Sequence, residues 1–316
     1  MLVRYVIATE GLTKYYGRVK ALENLNLRIE KGRFVGLLGP NGAGKTTTIK
    51  LLCGMLRPTR GRAFVLGLDP FRERCEVLAR VGALVESPNF YQELTAEEIL
   101  EYAGRLRGMY GRVLRERVCE VLEIVGLRDH ARKRVRAFSR GMLQRLAIAQ
   151  ALLHDPDVLL LDEPASGLDP AGMREVRKLL HELCRDRTVL YASHLLHEVR
   201  ALCSHVALIH EGRLLVYESV EELERRITTV RVEAYLLERP NKDVVKRVEE
   251  HPNIVSASLQ EEKLVIDIEG DERVRASILR FLVEELGLSV YRFTEARLLL
   301  EDVYVKLVEE SWGQLV

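Results

Sequence analysis

The chain has 316 residues, enough for one large domain and a small second one with a core of its own. A formal net charge of +1, with 30% of residues charged, gives no overall sign that would attract nucleic acid. No apolar run approaches the roughly 18 residues of a membrane-spanning helix, and the five cysteines lack C-x-x-C spacing. We therefore expect a soluble protein of a reducing compartment, without a nucleic-acid partner.

Charge nevertheless differs along the chain. Residues 1–216 carry 34 Lys and Arg against 25 Asp and Glu, whereas residues 217–316 carry 14 against 22. Such a shift in composition indicates a domain boundary near residue 217.

The first 38 residues predict three strands. Residues 3–9 alternate as a strand, Gly11–Gly17 has the composition of a turn, Leu22–Ile29 alternates again, and Phe34–Leu38 is a short buried strand. The turn carries two tyrosines. Paired tyrosines beside a strand pack against the protein more often than they stack on a base, and composition leaves both roles open.

A phosphate-binding loop follows the third strand. It fits G-x-x-x-x-G-K-[ST], in which glycines let backbone N–H groups turn toward a polyphosphate and the next helix N-terminus adds its dipole. We expect Lys45 to reach the outer phosphates and the Thr46 hydroxyl to ligate Mg²⁺. A helix over Thr47–Met55 completes the required strand, loop and helix. The predicted nucleotide-binding residues are Gly39, Pro40, Asn41, Gly42, Ala43, Gly44, Lys45, Thr46 and Thr47.

Two strands and a helical region are predicted between this loop and residue 137. Ala63–Leu66 is one strand, and Val81–Val85 is another that ends in a carboxylate, Glu86. Residues 95–126 have helical periodicity. The segment Arg128–Arg136, with five basic residues in nine, is typical of a solvated face or turn.

Ser139 precedes an Ala- and Leu-rich helix predicted over Gln144–Leu153. Serine is a preferred helix N-cap, so capping by itself explains the residue. A helix N-terminus also attracts anions, so the same position could face a second phosphate group. The local sequence leaves both explanations open.

Carboxylates follow the most apolar predicted strand. Val158–Leu161 is unbroken aliphatic, as in strands buried on both faces of a parallel sheet. Asp162 and Glu163 follow it, at the edge where open α/β sheets bind ligands. We expect Asp162 to meet Mg²⁺ directly or through water, and Glu163 to polarise the water that attacks the terminal phosphorus. A further strand, Thr188–Ala192, ends beside His194, which is placed for a polar contact with the γ-phosphate.

The tail from residue 228 predicts a second unit. Its elements follow the order β-α-β-β-α-β, which is ferredoxin-like, and a last helix is predicted over Leu299–Glu310. The strands are Thr229–Leu237, Ile254–Leu259, Leu264–Ile268 and Ser289–Thr294, and the helices are Lys242–Glu250 and Asp271–Leu286.

In this order, the motifs of roughly residues 3–225 resemble the ATP-binding subunit of ABC transporters. The phosphate loop resembles Walker A, Val158–Glu163 Walker B with the catalytic glutamate, and Phe138–Met142 the signature motif; Ser166–Asp169 resembles the D-loop. The resemblance implies an α/β P-loop NTPase in residues 1–225, with a mixed-sheet core, an antiparallel β subdomain and an α-helical subdomain at about residues 88–150. A small α+β ferredoxin-like domain would occupy residues 228–316.

The resemblance also implies a role for each site residue, with ATP and Mg²⁺ as the ligands. Glu163, His194 and Lys45 would be catalytic, and Tyr16, in its K-x-aromatic-G setting, would stack on adenine. Thr46, Glu86 and Asp162 would hold the metal. Ser139 and Gly141 would contact the ATP of a partner subunit.

Two positions depart from the family pattern. The signature is F-S-R-G-M where the family has L-S-G-G-Q, although Ser139 and Gly141 are kept. Glu86 stands where the family has glutamine, and a carboxylate can still ligate Mg²⁺. The surrounding Gly82–Pro88 resembles the form found in bacitracin- and lantibiotic-export ATPases. The tail, including L-E-D-V-Y at residues 300–304, resembles the C-terminal extension of drug- and antibiotic-exporting ABC ATPases, which favours a dimerisation or regulatory module, with a small-ligand sensor as the alternative.

The mechanism that the resemblance implies needs partners. Two cassettes would face each other head to tail and trap ATP between Walker motifs and signature, and closure would drive a separately encoded permease of the ABC-2 type, exporting drugs, antibiotics or similar compounds. The subunit would be cytoplasmic and peripheral at the inner face of the membrane. The alternative is a soluble non-transport ABC ATPase that acts as an ATP-driven clamp. Such proteins usually carry two linked cassettes or a long coiled coil, whereas this sequence has a single phosphate loop.

Overall fold

The computed structural model describes residues 5–183, 187–225, 229–238, 240–241, 243–269 and 272–296. The chain divides into two compact units, Met1–Val220 and Glu221–Val316. The helix predicted over Leu299–Glu310 lies outside the described residues.

The first unit contains ten strands and seven α-helices in its described part. The strands are β1 Tyr5–Tyr16, β2 Val19–Leu25, β3 Arg28–Glu30, β4 Phe34–Leu38, β5 Arg60–Val65, β6 Val81–Leu84, β7 Val158–Asp162, β8 Thr188–Ser193, β9 His205–His210 and β10 Arg213–Ser219. The helices are α1 Lys45–Leu52, α2 Arg74–Arg80, α3 Ala96–Leu106, α4 Gly111–Ile124, α5 Arg140–Leu152, α6 Pro170–Leu183 and α7 Leu196–Leu202.

A six-stranded mixed sheet forms the centre of this unit. Its order is β10-β9-β4-β8-β7-β6, with β10 antiparallel at one edge and the other strands parallel to their neighbours. Every residue of β4, β7 and β8 is buried, as their unbroken apolar sequences predict. Because parallel strands end at the same edge, the residues that follow β4, β7 and β8 are brought together.

A smaller antiparallel sheet combines β1, β2, β3 and β5. The turn predicted over Gly11–Gly17 is wrong, because β1 continues through this segment to Tyr16 with register shifts along the way. Gly11 has a φ of +56°, so a glycine with a left-handed backbone conformation lies inside the strand.

The single strand predicted over Leu22–Ile29 is also wrong, since β2 and β3 are separate. Both strands pair antiparallel with β1, and the Thr9 hydroxyl hydrogen-bonds on both sides of the break between them. It donates to the Leu25 carbonyl oxygen at 2.9 Å and accepts from the Leu27 N–H at 2.8 Å. Alternation of apolar residues continues through this break, so periodicity could not reveal it.

The region predicted as helical, residues 95–126, contains two helices separated at Gly108, whose φ is +78°. Thr95 begins α3 with a capping box, in which Thr95 and Glu98 each accept from the other's backbone N–H. The segment Arg128–Arg136 contains two short 3₁₀ turns, in agreement with its prediction as surface or turn.

The second unit has the predicted β-α-β-β-α-β order. After a short helix, α8 Val220–Arg225, its elements are β11 Thr229–Leu236, α9 Asp243–Glu249, β12 Ile254–Gln260, β13 Lys263–Glu269, α10 Glu272–Arg280 with a π-helical extension at Phe281–Glu285, and β14 Val290–Ala296. The sheet is antiparallel, in the order β12-β13-β11-β14. Alternate residues of β11 and β13 form its core with Val248 and Ile278 of the two helices.

In the described part of the chain, no helix combines the length and the apolar character needed to cross a bilayer.

Replacing Thr9 with valine is expected to destabilise the first unit by about 2 kcal/mol, because the buried Leu25 carbonyl and Leu27 N–H would lose their shared partner. Calorimetric unfolding measures the effect. Thr9→Ser keeps the hydroxyl and serves as the control. If Thr9→Val were as stable as the wild type, the Thr9 hydroxyl would not sustain the β2–β3 break.

Candidate active site

The phosphate loop connects β4 to α1 in a conformation that only glycine fits at two positions. A Cβ on Gly39 would lie 2.2 Å from the Ile209 carbonyl oxygen. Gly44 has a φ of +106°, and a Cβ there would lie 2.6 Å from the Ala21 carbonyl oxygen. By contrast, a Cβ on Gly42 would meet nothing within 4 Å, so this part of the loop borders open space. The motif glycines therefore allow both close packing beneath the loop and an open surface above it.

Lys45 begins α1 and has only 5% of its surface exposed. Its Nζ donates to the carbonyl oxygens of Gly39 at 2.7 Å and Pro40 at 3.0 Å, and lies 3.7 Å from Glu163 Oε1. Burial lowers the pKa of Lys45, while Glu163 and Asp162 oppose that shift. The ammonium group is thus held by loop carbonyls at the edge of the site.

A cavity of about 350 Å³ lies beside the start of α1. It contains all three predicted metal ligands, Thr46, Glu86 and Asp162, together with Glu163. These residues come from three separate segments of the sequence, and the sheet topology brings them together. The full lining is Thr46, Glu86, Ser87, Gln144, Asp162, Glu163 and Ser166.

Asp162 is the most constrained of these acids, with 5% of its surface exposed. Its Oδ1 is buried and has no hydrogen-bond partner among the described residues. Burial raises the pKa of the Asp162 carboxyl, and a hydrogen bond with the Thr46 side chain partly opposes the shift. A buried oxygen without a partner, next to a hydroxyl, is a suitable ligand pair for a hard divalent cation.

Glu163 lies between Lys45 and His194. Its backbone takes a φ of +46°, and its N–H donates to the Ala192 carbonyl oxygen at 3.0 Å. The side chain is directed so that Oε1 lies 2.9 Å from His194 Nδ1. The predicted acid and histidine are therefore in contact, although 31 residues separate them in the sequence.

Glu86 forms an ion pair with Lys50, which lies on α1. The hydrogen bond to Glu86 and the nearby charges of Glu86, Tyr16 and Asp162 raise the pKa of Lys50. Tyr16 is thus within electrostatic reach of the same lysine. Its side chain is 45% exposed, and Lys14 Nζ lies 5.2 Å from the ring centre.

Ser139 and Gly141 do not line this cavity. Ser139 is exposed and caps α5, accepting from the Met142 N–H at 3.3 Å, so the predicted capping is confirmed. The atom nearest a Cβ on Gly141, outside its own turn, is the Gly172 Cα at 4.0 Å. The two signature residues therefore lie beside α6, and their contact with a nucleotide stays a prediction.

Four polar residues of this region were not predicted as site residues: Lys50, Ser87, Gln144 and Ser166. Gln144 offered a signal, because a glutamine lies on the buried face of the otherwise apolar helix α5, with 7% of its surface exposed. Ser166 was recognised only as part of the segment that resembles the D-loop, whereas Lys50 and Ser87 offered no signal, since each lies among residues of ordinary composition.

Comparison with known proteins identifies the family. A family model for ABC transporters matches residues 22–166, which include the phosphate loop, the signature and Asp162–Glu163. The bacitracin transport ATP-binding protein BcrA of Bacillus licheniformis is 40% identical over 96% of this chain and 97% of its own length. The chain belongs to the ATP-binding subunits of ABC transporters. An uncharacterised ABC transporter ATP-binding protein of Bacillus subtilis, YxlF, is 36% identical over 96% of this chain and 99% of its own length.

Solved structures agree with this assignment. The ATP-binding subunit of an ABC transporter matches 70% of this chain and 92% of its own length, with a TM-score of 0.63 and 27% identity. A dimeric ATP-binding cassette in a post-hydrolysis state, bound to ADP and Pi, matches 68% of this chain and 98% of its own length, with a TM-score of 0.61 and 27% identity. This ABC subunit has the P-loop NTPase fold predicted for it, and it is an ATPase.

Replacing Asp162 with asparagine is expected to stabilise the nucleotide-free subunit, because an amide has no charge to desolvate at this position. Burial raises the pKa of Asp162, so the charged carboxylate destabilises the folded state as the pH rises through that pKa. The thermal midpoint should rise by about 2 °C at neutral pH, which corresponds to about 1 kcal/mol. The gain should shrink as the pH falls toward the ordinary carboxyl range.

Scanning calorimetry at several pH values measures this shift. The exposed Asp129→Asn is the control, since the same change of charge there desolvates nothing. A lower midpoint for Asp162→Asn than for the wild type would contradict the description of Asp162 as a buried acid without sufficient partners.

Proposed function

We propose that this subunit is the Mg²⁺-dependent ATPase of an exporter of drugs, antibiotics or similar compounds, and that it energises a separate permease. The observation that carries the catalytic part is the cavity that joins Thr46, Asp162 and Glu163 beside the phosphate loop. The export part is supported by the bacitracin transport protein of Bacillus licheniformis, which aligns with nearly the whole chain.

Phosphate binding is assigned to Gly39–Thr47. The loop offers backbone N–H groups and the N-terminus of α1, and Lys45 is already at its edge. Its Nζ is bonded to two loop carbonyls, which are weaker partners for an ammonium than a phosphate oxygen is. We therefore propose that Lys45 exchanges these carbonyls for the outer phosphates when ATP binds.

The residues of the cavity fit Mg²⁺. Mg²⁺ binds through one or two carboxylates together with substrate phosphates, so it needs few protein ligands. Accordingly, no group of three or more His, Cys, Asp and Glu side chains in the described residues is arranged to hold a metal ion. Asp162 and Thr46 are the proposed ligands, with Glu86 a third if it leaves Lys50. When bound, the ion would neutralise charge that develops on the transferred phosphoryl group.

Glu163 is the proposed base that orients the attacking water, and His194 the residue that contacts the γ-phosphate. The contact between Oε1 and Nδ1 fixes both side chains before substrate arrives. Lys45 Nζ lies 3.7 Å from Glu163 Oε1, so the ammonium group and the proposed base border the same space. Tyr16 has an exposed ring with Lys14 of the same strand beside it, which suits stacking on adenine.

Dimerisation explains the position of the signature residues. Ser139 and Gly141 are accessible beside α6 and lie outside the cavity of their own chain. We propose that they contact the ATP of a second cassette, either another copy of this chain or a homologue. One solved relative of the fold is a dimer bound to ADP and Pi, which supports this arrangement.

The proposed contact with the permease is the groove between residues 83–91 and α3. This cavity of about 330 Å³ is lined by large side chains that remain accessible. Tyr91, Tyr102 and Leu106 are 71%, 52% and 72% exposed. A groove with aromatic rims and a lining of both polar and apolar side chains suits a short amphipathic helix. We propose that the subunit is peripheral at the cytoplasmic face of the membrane, since its relatives are ATP-binding subunits of ABC transporters.

Glu163→Gln is expected to keep ATP binding and to lower the hydrolysis rate at least about 100-fold, because the amide cannot accept a proton. Under Mg-ATP the variant should change from monomer to dimer. Phosphate release and light scattering measure the two effects. The exposed Glu182→Gln is the control. If the variant stayed monomeric both with and without ATP, the result would count against the proposal that the signature residues contact the ATP of a second cassette.

Leu106→Glu is expected to reduce association of the subunit with membranes that contain its permease, since a charge would replace one of the large apolar side chains of the groove. The matched control is Val113→Glu, a similar change at an exposed residue of α4 outside the groove. Co-sedimentation with membranes measures the difference. Equal association of both variants would rule out this groove as the permease contact.

A further inference from the structure

A buried carboxylate lies behind His194. Glu198, on α7, has 2% of its surface exposed. One of its oxygens, Oε2, accepts from the Tyr191 hydroxyl at 2.6 Å and from the Ser193 hydroxyl at 3.0 Å. The other, Oε1, lies 3.4 Å from the Arg177 guanidinium. A carboxylate at this depth persists only when such partners replace its lost hydration.

Ser193 connects this carboxylate to the backbone around His194. Its hydroxyl donates to Glu198 and accepts from the Leu195 N–H at 3.0 Å. Ser193 and Leu195 are the two neighbours of His194 in the chain. Glu198 therefore fixes the Ser193 hydroxyl, and the hydroxyl fixes the backbone on both sides of the histidine.

The second oxygen extends the network to another element. Arg177 lies on α6, the helix that follows the Ser166–Asp169 segment. Ser166 lines the cavity that contains Glu163. The buried Glu198 carboxylate thus connects three elements behind the site. It lies on α7, accepts a hydrogen bond at the end of β8, and pairs with an arginine of α6.

We propose that Glu198 is a positioning residue for ATP hydrolysis, which holds His194 in contact with Glu163 through the Ser193 hydroxyl. This inference rests on the function proposed above for His194. The geometry matters because the His194–Glu163 contact is a single hydrogen bond between residues that are 36% and 28% exposed, so little else restrains the imidazole.

If the network had only a structural role, removing the Tyr191 hydroxyl and removing the Ser193 hydroxyl would lower the hydrolysis rate to the same extent. Both hydroxyls donate to the same Glu198 oxygen, and both residues are buried. Only Ser193 also bonds the backbone next to His194. Ser193→Ala and Tyr191→Phe are therefore a matched pair, in which each removes one donor and only the first releases the histidine segment.

Steady-state ATP hydrolysis by the full-length subunit distinguishes the two roles. Ser193→Ala should lower kcat about tenfold with little change in KM, because the binding loop is untouched while the histidine is displaced. Tyr191→Phe should lower kcat less than about twofold. Glu198→Gln, which keeps an acceptor for Ser193, should lose less activity than Glu198→Leu. Equal kcat losses in Ser193→Ala and Tyr191→Phe, or none in either, would overturn the proposal.

The His194→Ala background provides the second measurement. His194→Ala should lower kcat about 100-fold, and Ser193→Ala added to it should change kcat less than about twofold, because there is no imidazole left to position. A further tenfold loss in the double variant would overturn the positioning role alone. An unchanged kcat for His194→Ala would instead overturn the role proposed for the histidine, and with it this inference.

Discussion

The arrangement of the site depends on two adjacent carboxylates at the end of the fully buried strand β7. Asp162 is buried with an unpartnered oxygen, and Glu163 leaves the strand in a left-handed backbone conformation. Their negative charge is balanced mainly by Lys45, which is itself nearly buried. In a low-dielectric environment such groups interact strongly, so the positions of the phosphate loop, β7 and the histidine loop are coupled before any ligand binds.

The apolar sheet makes this coupling possible. Strands β4, β7 and β8 have no exposed residues, and Asp162 and Ser193 stand at the ends of β7 and β8. One end carries the phosphate loop, the acids and His194. Glu198 lies behind this end of the sheet and is also a buried carboxylate. Its oxygens interact with donors of the protein, whereas one oxygen of Asp162 has no hydrogen-bond partner. The free oxygen can accept a ligand, and the satisfied carboxylate can only hold structure.

Prediction from the sequence succeeded where one signal was unambiguous. The aliphatic run before Asp162, the glycine loop and the alternating strands of the second unit each correspond to the observed elements. It failed in the antiparallel sheet, where Gly11 lies inside a strand and Thr9 sustains a break between β2 and β3. The break between β2 and β3 has a long-range cause, since the hydrogen bonds of Thr9 join residues 16 and 18 positions apart.

The sequence by itself determined which residues form the glycine-rich loop, which acids follow the central strand, and which family the motifs resemble. Those conclusions depend on residue type and spacing along the chain, which folding does not change. Only the tertiary structure decided that His194 contacts Glu163, that Lys50 pairs with Glu86, and that Glu198 supports the histidine segment. These relations depend on side-chain directions and distances across the sheet, because residues far apart in sequence become neighbours only when parallel strands align their ends.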